Sequence, residues 1–204
     1  MSGPLPWALV ALGFAIVVAR RRSAAIALLA AQSLLLGALA LHEARDAGAL
    51  LLPAVVLLAR GIALPLVLAR VTALTREPRR LAAERFALGR LVAAVAVVLG
   101  TVALTPPLGL TPAGAARAAV ALVVLGLAIA ALRRPVVFQA IGVLVAENGV
   151  YLASLAIGGG VPGAIELGLC CDLVVTVAAV ALLGTRIHAR LGSGDSSLLE
   201  TLRD

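Results

Sequence analysis

Lysine is missing from this 204-residue chain: all 17 residues counted as Lys+Arg are Arg. Cysteine is scarce, with only Cys170 and Cys171, side by side in an apolar run. Neighbouring cysteines rarely form a disulfide, and two thiols cannot by themselves complete a zinc site. They read as small polarizable packing residues. The two histidines, His42 and His188, fall in loops far apart and support neither a metal site nor a triad. Aromatic residues make up 2% of the chain, so the base-stacking platforms of single-strand nucleic-acid binders are excluded. No glycine-rich phosphate loop, Cys/His cluster or nucleophile with an adjacent base is present. The sequence therefore implies no metal, no cofactor and no bond-making chemistry of its own; the chain moves something or holds something.

What remains is apolar. The chain is 62% hydrophobic, with a mean hydropathy of +1.12. A soluble domain of this length cannot hide that much apolar surface, so the reading is a polytopic membrane protein. No charged segment precedes the first apolar run and no small-residue cleavage site clearly ends it, so Leu5 to Ala19 reads as a retained helix. A net charge of +7 in a soluble protein would suggest nucleic acid. Here the arginines cluster in short loops between apolar runs, which is the signature that sets membrane orientation.

A spanning helix needs about 20 mostly apolar residues. The sequence predicts spans over 4–19, 23–41, 47–69, 91–105, 113–132, 135–157 and 161–185. Between the third and fourth lies a basic segment over 70–90. Its part from Arg79 to Arg90 reads equally well as a short interfacial helix or a solvated loop. Alternating the loops puts the N-terminus, 42–46, 105–112 and 158–163 on one side. Arg20–Arg22, 70–90, Arg133–Arg134 and the polar tail from Arg186 fall on the other. All Arg-rich loops then share one side, and deleting any span breaks the pattern. The expectation is an all-α bundle of seven transmembrane helices, N-terminus outside and C-terminus cytoplasmic. It divides into a four-helix region over 1–112, a three-helix unit over 113–186 and a tail over 187–204. No internal repeat is evident, which argues mildly against a stand-alone secondary transporter.

Carboxylates inside such spans are expensive and call for an explanation. Glu147 lies midway along the sixth span, with Asn148 beside it and Tyr151 one turn later on the same face. A carboxyl group there tends to take up a proton or find a cation, because desolvation disfavours the bare charge. Asp172 lies midway along the seventh span at matching depth. Glu166 precedes it by six residues, about 600° of helical rotation, so the two acids do not share a face. Arg60 is the one cation deep in a span, with Pro65 positioned to bend its helix. It can pair with Glu147 or Asp172, set the local field, or snorkel toward the loop at Arg70. Gln32, Ser33 and Gln139 read as ordinary helix–helix polar contacts.

The stretch Ile141-Gly142-Val143-Leu144-Val145-Ala146-Glu147-Asn148-Gly149-Val150 resembles the sixth-helix motif of the hydrogenase-4 component E family (HyfE). So does Gly163-Ala164-Ile165-Glu166-Leu167-Gly168, continuing to Asp172 and closing at Arg186-Ile187. A weaker match is Arg60-Gly61-Ile62-Ala63-Leu64-Pro65. The resemblance is close over about 60 residues and extends to the whole chain by length and span count. It implies a membrane subunit of group 4 nickel–iron hydrogenase complexes such as formate hydrogenlyases. The last three helices would then resemble the small three-helix subunit of respiratory complex I (NuoK) and its counterpart in Mrp-type antiporters (MrpC). The acid of the sixth span sits about one turn beyond its counterpart in the complex I protein.

The resemblance implies that Glu147 and Asp172 pair in a lateral proton path, with Glu166 as an outer acid, Arg60 tuning them, and Asn148 and Tyr151 in support. The implied partners are antiporter-like and hydrogenase or complex I-like membrane subunits within the lipid bilayer of a bacterial plasma membrane, with no nucleic acid. The implied function is a non-catalytic subunit of a redox-driven ion-translocating complex. A structural scaffold and a stand-alone proton-linked transporter are the alternatives.

Overall fold

The computed structural model describes residues 4–43, 54–55, 58–74, 87–106 and 113–157. It also describes Gly168, Cys171, Val174, Val175, Ala178, Ala179, Leu182 and Arg186, all helical. The described residues form helices and no strand: α1 (Leu5–Val18), α2 (Arg22–Glu43), a π-helical turn (Ala59–Ala63) continuing into α3 (Leu64–Leu74), α4 (Ala87–Leu104), α5 (Ala113–Leu132) and α6 (Val136–Ala156). Four helical stretches are long and apolar enough to cross a membrane: Arg22–His42, Ala87–Leu104, Gly114–Leu132 and Val136–Ala156. The described chain is thus an all-helical membrane protein. Helix α1 has 14 residues, a length of about 21 Å, which falls short of a hydrocarbon layer of about 30 Å.

The boundaries follow local chemistry. Pro4 precedes α1 and Pro6 sits in its first turn, where a missing N–H costs nothing. The chain turns extended at Ala19, just before the arginine run. Pro135 is likewise extended and opens α6, its carbonyl accepting from the N–H groups of Phe138 and Gln139. Three boundaries differ from those expected by two residues or more. The second helix runs on to Glu43 rather than ending at Leu41, so His42 lies in its last turn and not in a loop. The third helix runs on to Leu74 rather than ending at Ala69, carrying Arg70 with it. The fourth begins at Ala87, so Arg90 lies in its first turn rather than in the loop. The last two additions are short stretches with one arginine: Arg70 is exposed, whereas Arg90 is half-buried with its Nε and Nη2 inside the protein. Seven residues of the expected seventh span, from Gly168 to Leu182, are described and helical; the rest of that span, its preceding turn, the polar tail from 187 and most of the 70–90 segment lie outside the described residues.

Helices α5 and α6 form the tightest pair. A side-chain carbon on Gly142 would lie 2.5 Å from the backbone N of Ala130 and 2.6 Å from the carbonyl O of Gly126. One on Gly149 would lie 2.7 Å from the N of Val123. As residue numbers rise along α6, the facing numbers fall along α5, so the two run antiparallel with their backbones in contact. In lipid no hydrophobic force distinguishes helix from solvent, and such close van der Waals approach through small residues is what holds helices together. Helix α1 packs on α5 where Gly13 admits Leu122 and Leu125. Helix α2 packs on the π-helical turn where Gly61 lies under Leu34.

At one end of the bundle Arg133 is buried. Its Nη2 donates to the carbonyl of Ala19 at 2.7 Å, and its guanidinium stacks 3.6 Å from the centroid of Phe138. The Ala19–Arg22 turn and the Arg133–Arg134 turn are therefore fastened together at the same end. Two of the Arg-rich loops that alternation assigns to one side thus sit side by side.

Candidate functional site

The polar residues of α2 and α6 converge at mid-helix. Gln32 and Ser33 stand halfway along Arg22–Glu43, and Glu147 and Asn148 halfway along Val136–Ala156. Each is buried. From the π-helical turn, Arg60 enters the same layer and is only 4% exposed. It does not snorkel. Its Nη2 lies 2.6 Å from Glu147 Oε2, and its Nη1 donates to Asn148 Oδ1 at 3.1 Å. The Asn148 amide nitrogen donates to Gln32 Oε1 at 3.0 Å and to Ser33 Oγ at 3.3 Å. Gln32 Nε2 in turn donates to the carbonyl of Leu9 on α1 at 2.8 Å. One connected network joins α1, α2, α6 and the π-helical turn.

The π-helical turn is part of how Arg60 gets there. Pro65 lacks an N–H and its ring crowds the carbonyl four residues back, at Gly61. The helix widens over Ala59–Ala63, just before the proline, and Gly61 lets the widened backbone rest against Leu34 on α2. Single π turns inside helices are frequent at functional sites. On α6, the contact of Gly142 and Gly149 with α5 leaves Glu147 and Asn148 free to turn toward α2 and Arg60.

Of the expected site residues, the structure brings together Glu147, Arg60 and Asn148. Arg60 pairs with Glu147, one of the two partners expected for it. Tyr151 is buried one turn beyond Glu147, and its carbonyl accepts from Ser154 Oγ at 2.7 Å. Glu166 and Asp172 lie outside the described residues. The sequence marks Gln32 and Ser33 as no more than ordinary packing contacts, yet both belong to the network. Their position halfway along an apolar helix, at the same depth as Glu147, is the signal that points to them. Gln139 is half-buried, and its side chain has no place in the network's described bonds. Among the described residues no group of three or more His, Cys, Asp or Glu could hold a metal ion.

The arrangement can hold two opposite charges in the apolar layer and release them only by separating them. Burying an ion pair costs several kcal/mol of desolvation per ion, offset only when geometry and further hydrogen bonds are good; here Arg60 adds to the pair its bond to Asn148. Fold and site together define an all-helical membrane protein built around a mid-bundle arginine–glutamate pair. The chain belongs to the same family as the uncharacterized protein Rv0085 of Mycobacterium tuberculosis. The two are 30% identical over 154 residues, covering 73% of this chain and 70% of that protein. No family model matches the chain, and no solved structure matches it.

Proposed function

We propose that the chain is a non-catalytic integral membrane subunit of a redox-driven ion-translocating complex of the hydrogenase or complex I-like kind. In this reading it has seven spans, with the N-terminus outside and the C-terminus cytoplasmic, in a bacterial plasma membrane. The observation that carries the reading is the Arg60–Glu147 pair, a charge pair buried at mid-helix depth. The resemblance of the stretch around Glu147 to hydrogenase-4 component E supplies the class of complex. A relative from a bacterium supports the choice of membrane.

Glu147 is then a relay carboxylate whose affinity for a proton is set by Arg60. While the guanidinium is close, the carboxylate keeps its charge. When Arg60 is drawn away, toward another acid such as Asp172, Glu147 takes a proton in its place. Redox events in a partner protein would drive that exchange, because the chain has no electron carrier in this reading. Glu166 and Asp172 continue the path toward antiporter-like partners.

A second reading is favoured by the same bond. Glu147 already has its counter-charge at 2.6 Å, so the pair can also serve as a fixed clasp in a scaffold protein. Native-gel separation after gentle detergent extraction of the tagged chain tests the complex. Co-migration with a hydrogenase-type large subunit and antiporter-like subunits is expected; migration as a free monomer overturns the subunit reading and promotes a stand-alone transporter. Within an assembled complex, Glu147→Gln separates relay from clasp. Loss of ion pumping with assembly intact is the relay result, whereas loss of assembly is the scaffold result.

A further inference from the structure

We infer that Gln32 is a positioning residue for the Arg60–Glu147 pair, acting through Asn148 and anchored on the backbone of α1. Some groups can only give a hydrogen bond and others only take one, and these fix the direction of the network. A guanidinium only donates, and a backbone carbonyl only accepts. At one end of the network stands Arg60, so the Asn148 atom facing it must be the amide oxygen, 3.1 Å away. At the other end stands the Leu9 carbonyl, so the Gln32 atom facing it must be the amide nitrogen, 2.8 Å away. The two amides then meet with the Asn148 nitrogen against the Gln32 oxygen, at 3.0 Å. Both ends fix the same orientation independently, and the middle contact satisfies it.

The consequence is directional. Leu9 sets the orientation of Gln32, Gln32 sets that of Asn148, and Asn148 presents an acceptor to one arm of the Arg60 fork. With Nη1 held there, Nη2 is directed at Glu147 Oε2. Ser33 adds a second acceptor for the Asn148 nitrogen, at a longer 3.3 Å, and does not determine the direction of the amide by itself, since a hydroxyl gives and takes. If Gln32 becomes apolar, the Asn148 nitrogen loses its shorter acceptor and keeps only Ser33 Oγ, so the amide is held less firmly in line with Arg60. The Arg60–Asn148 bond is then loosened, and with it the geometry that keeps Nη2 on Glu147.

The test uses the full chain purified in detergent and a hydrophobic carbodiimide. This reagent adds to protonated carboxyl groups in apolar surroundings and leaves paired carboxylates alone; the adduct is located by peptide mass spectrometry. Wild type should label slowly at Glu147, and Arg60→Met should label fast, as the reference for an unprotected carboxyl. Gln32→Leu should raise the Glu147 labelling rate by about tenfold, just under the smallest effect of removing a charge-assisted hydrogen bond outright, because the bond is loosened and not removed. Gln32→Met is made beside it so that a folded variant is in hand, with folding checked by helical circular dichroism and monodisperse elution. Ser33→Ala should label like wild type. A merely structural Gln32 shifts thermal stability without changing the labelling of Glu147.

Wild-type labelling in folded Gln32 variants, with Arg60→Met fast, overturns the proposal. So does slow labelling in Arg60→Met, because Arg60 then does not protect Glu147 at all. The inference deepens the relay reading, but its test needs no partner proteins. A chain that fails to join a complex can still pass it, and an assembled chain can still fail it.

Discussion

Replacing Gly142 by alanine adds one methyl group at the tightest point of the fold. The new carbon would lie 2.5 Å from the Ala130 nitrogen, 2.6 Å from the Gly126 oxygen and 2.9 Å from the Ala130 Cα. All three are backbone atoms of α5, so no side chain can rotate away. Ordinary contact needs about 3.5 Å, so the helices must part by about 1 Å along their seam. Overpacking of this kind costs about 1–3 kcal/mol. Alanine also gains up to about 1 kcal/mol of helix propensity over glycine, which would mask part of the loss. Gly100→Ala on α4 supplies the control, because nothing lies within 4 Å of its added carbon and the propensity gain is the same. The difference between the two variants is therefore the packing cost alone, about 5- to 150-fold in the folding equilibrium. Reversible unfolding in mixed micelles, followed by helical circular dichroism, reads it. Equal stability of Gly142→Ala and Gly100→Ala would refute the account of α5–α6 packing.

Two further outcomes follow from the pair and the turns. Arg60→Met alone should destabilise the chain by about 3–5 kcal/mol, because it removes the counter-charge of the buried Glu147. Arg60→Met combined with Glu147→Leu should recover most of that loss, and the same micelle unfolding assay measures both; additive losses would mean that the two side chains do not interact. Single cysteines introduced at Arg20 and Arg134, in a chain with Cys170 and Cys171 replaced by alanine, should react with an impermeant maleimide from the same side of sealed vesicles, because Arg133 ties the two turns together at 2.7 Å. Reaction from opposite sides would separate the turns.

The apolar helices are legible in the sequence because their signal is composition over about 20 residues, which neighbours do not alter. The fifth and sixth spans coincide with α5 and α6 to within a residue, since the double arginine and Pro135 mark their shared boundary. The burial of Arg60 and its pairing with Glu147 are left open by the sequence, because they depend on a rotation along a helix that composition does not encode. The π-helical turn supplies that rotation. Pro65 points to a disturbance of the helix but not to widening rather than bending. Gln32 and Ser33 escape notice for a different reason. Neutral amides and hydroxyls are common between membrane helices, and the depth they share with Glu147 points to them without showing that they meet Asn148 across a sequence separation of more than a hundred residues.

The balance between relay and clasp turns on energy. A clasp needs only attraction between helices, and α5 and α6 already obtain theirs from glycine contacts without charge. For α2, α6 and the π-helical turn, apolar side chains of similar volume would serve as well, since exchanging a buried ion pair for them is often neutral or stabilising by about 1–4 kcal/mol. Stability alone thus gives no reason to place Arg60 and Glu147 in the apolar layer and to surround them with Asn148, Gln32 and Ser33. A pair that must open and close does give one: the attraction has to be strong enough to hold one state and directional enough to return to it, which an apolar contact is not. The double variant Arg60→Met with Glu147→Leu tests that argument in an assembled complex. Retained assembly with lost ion pumping supports the relay, whereas retained pumping would show that the charges serve only to hold the helices.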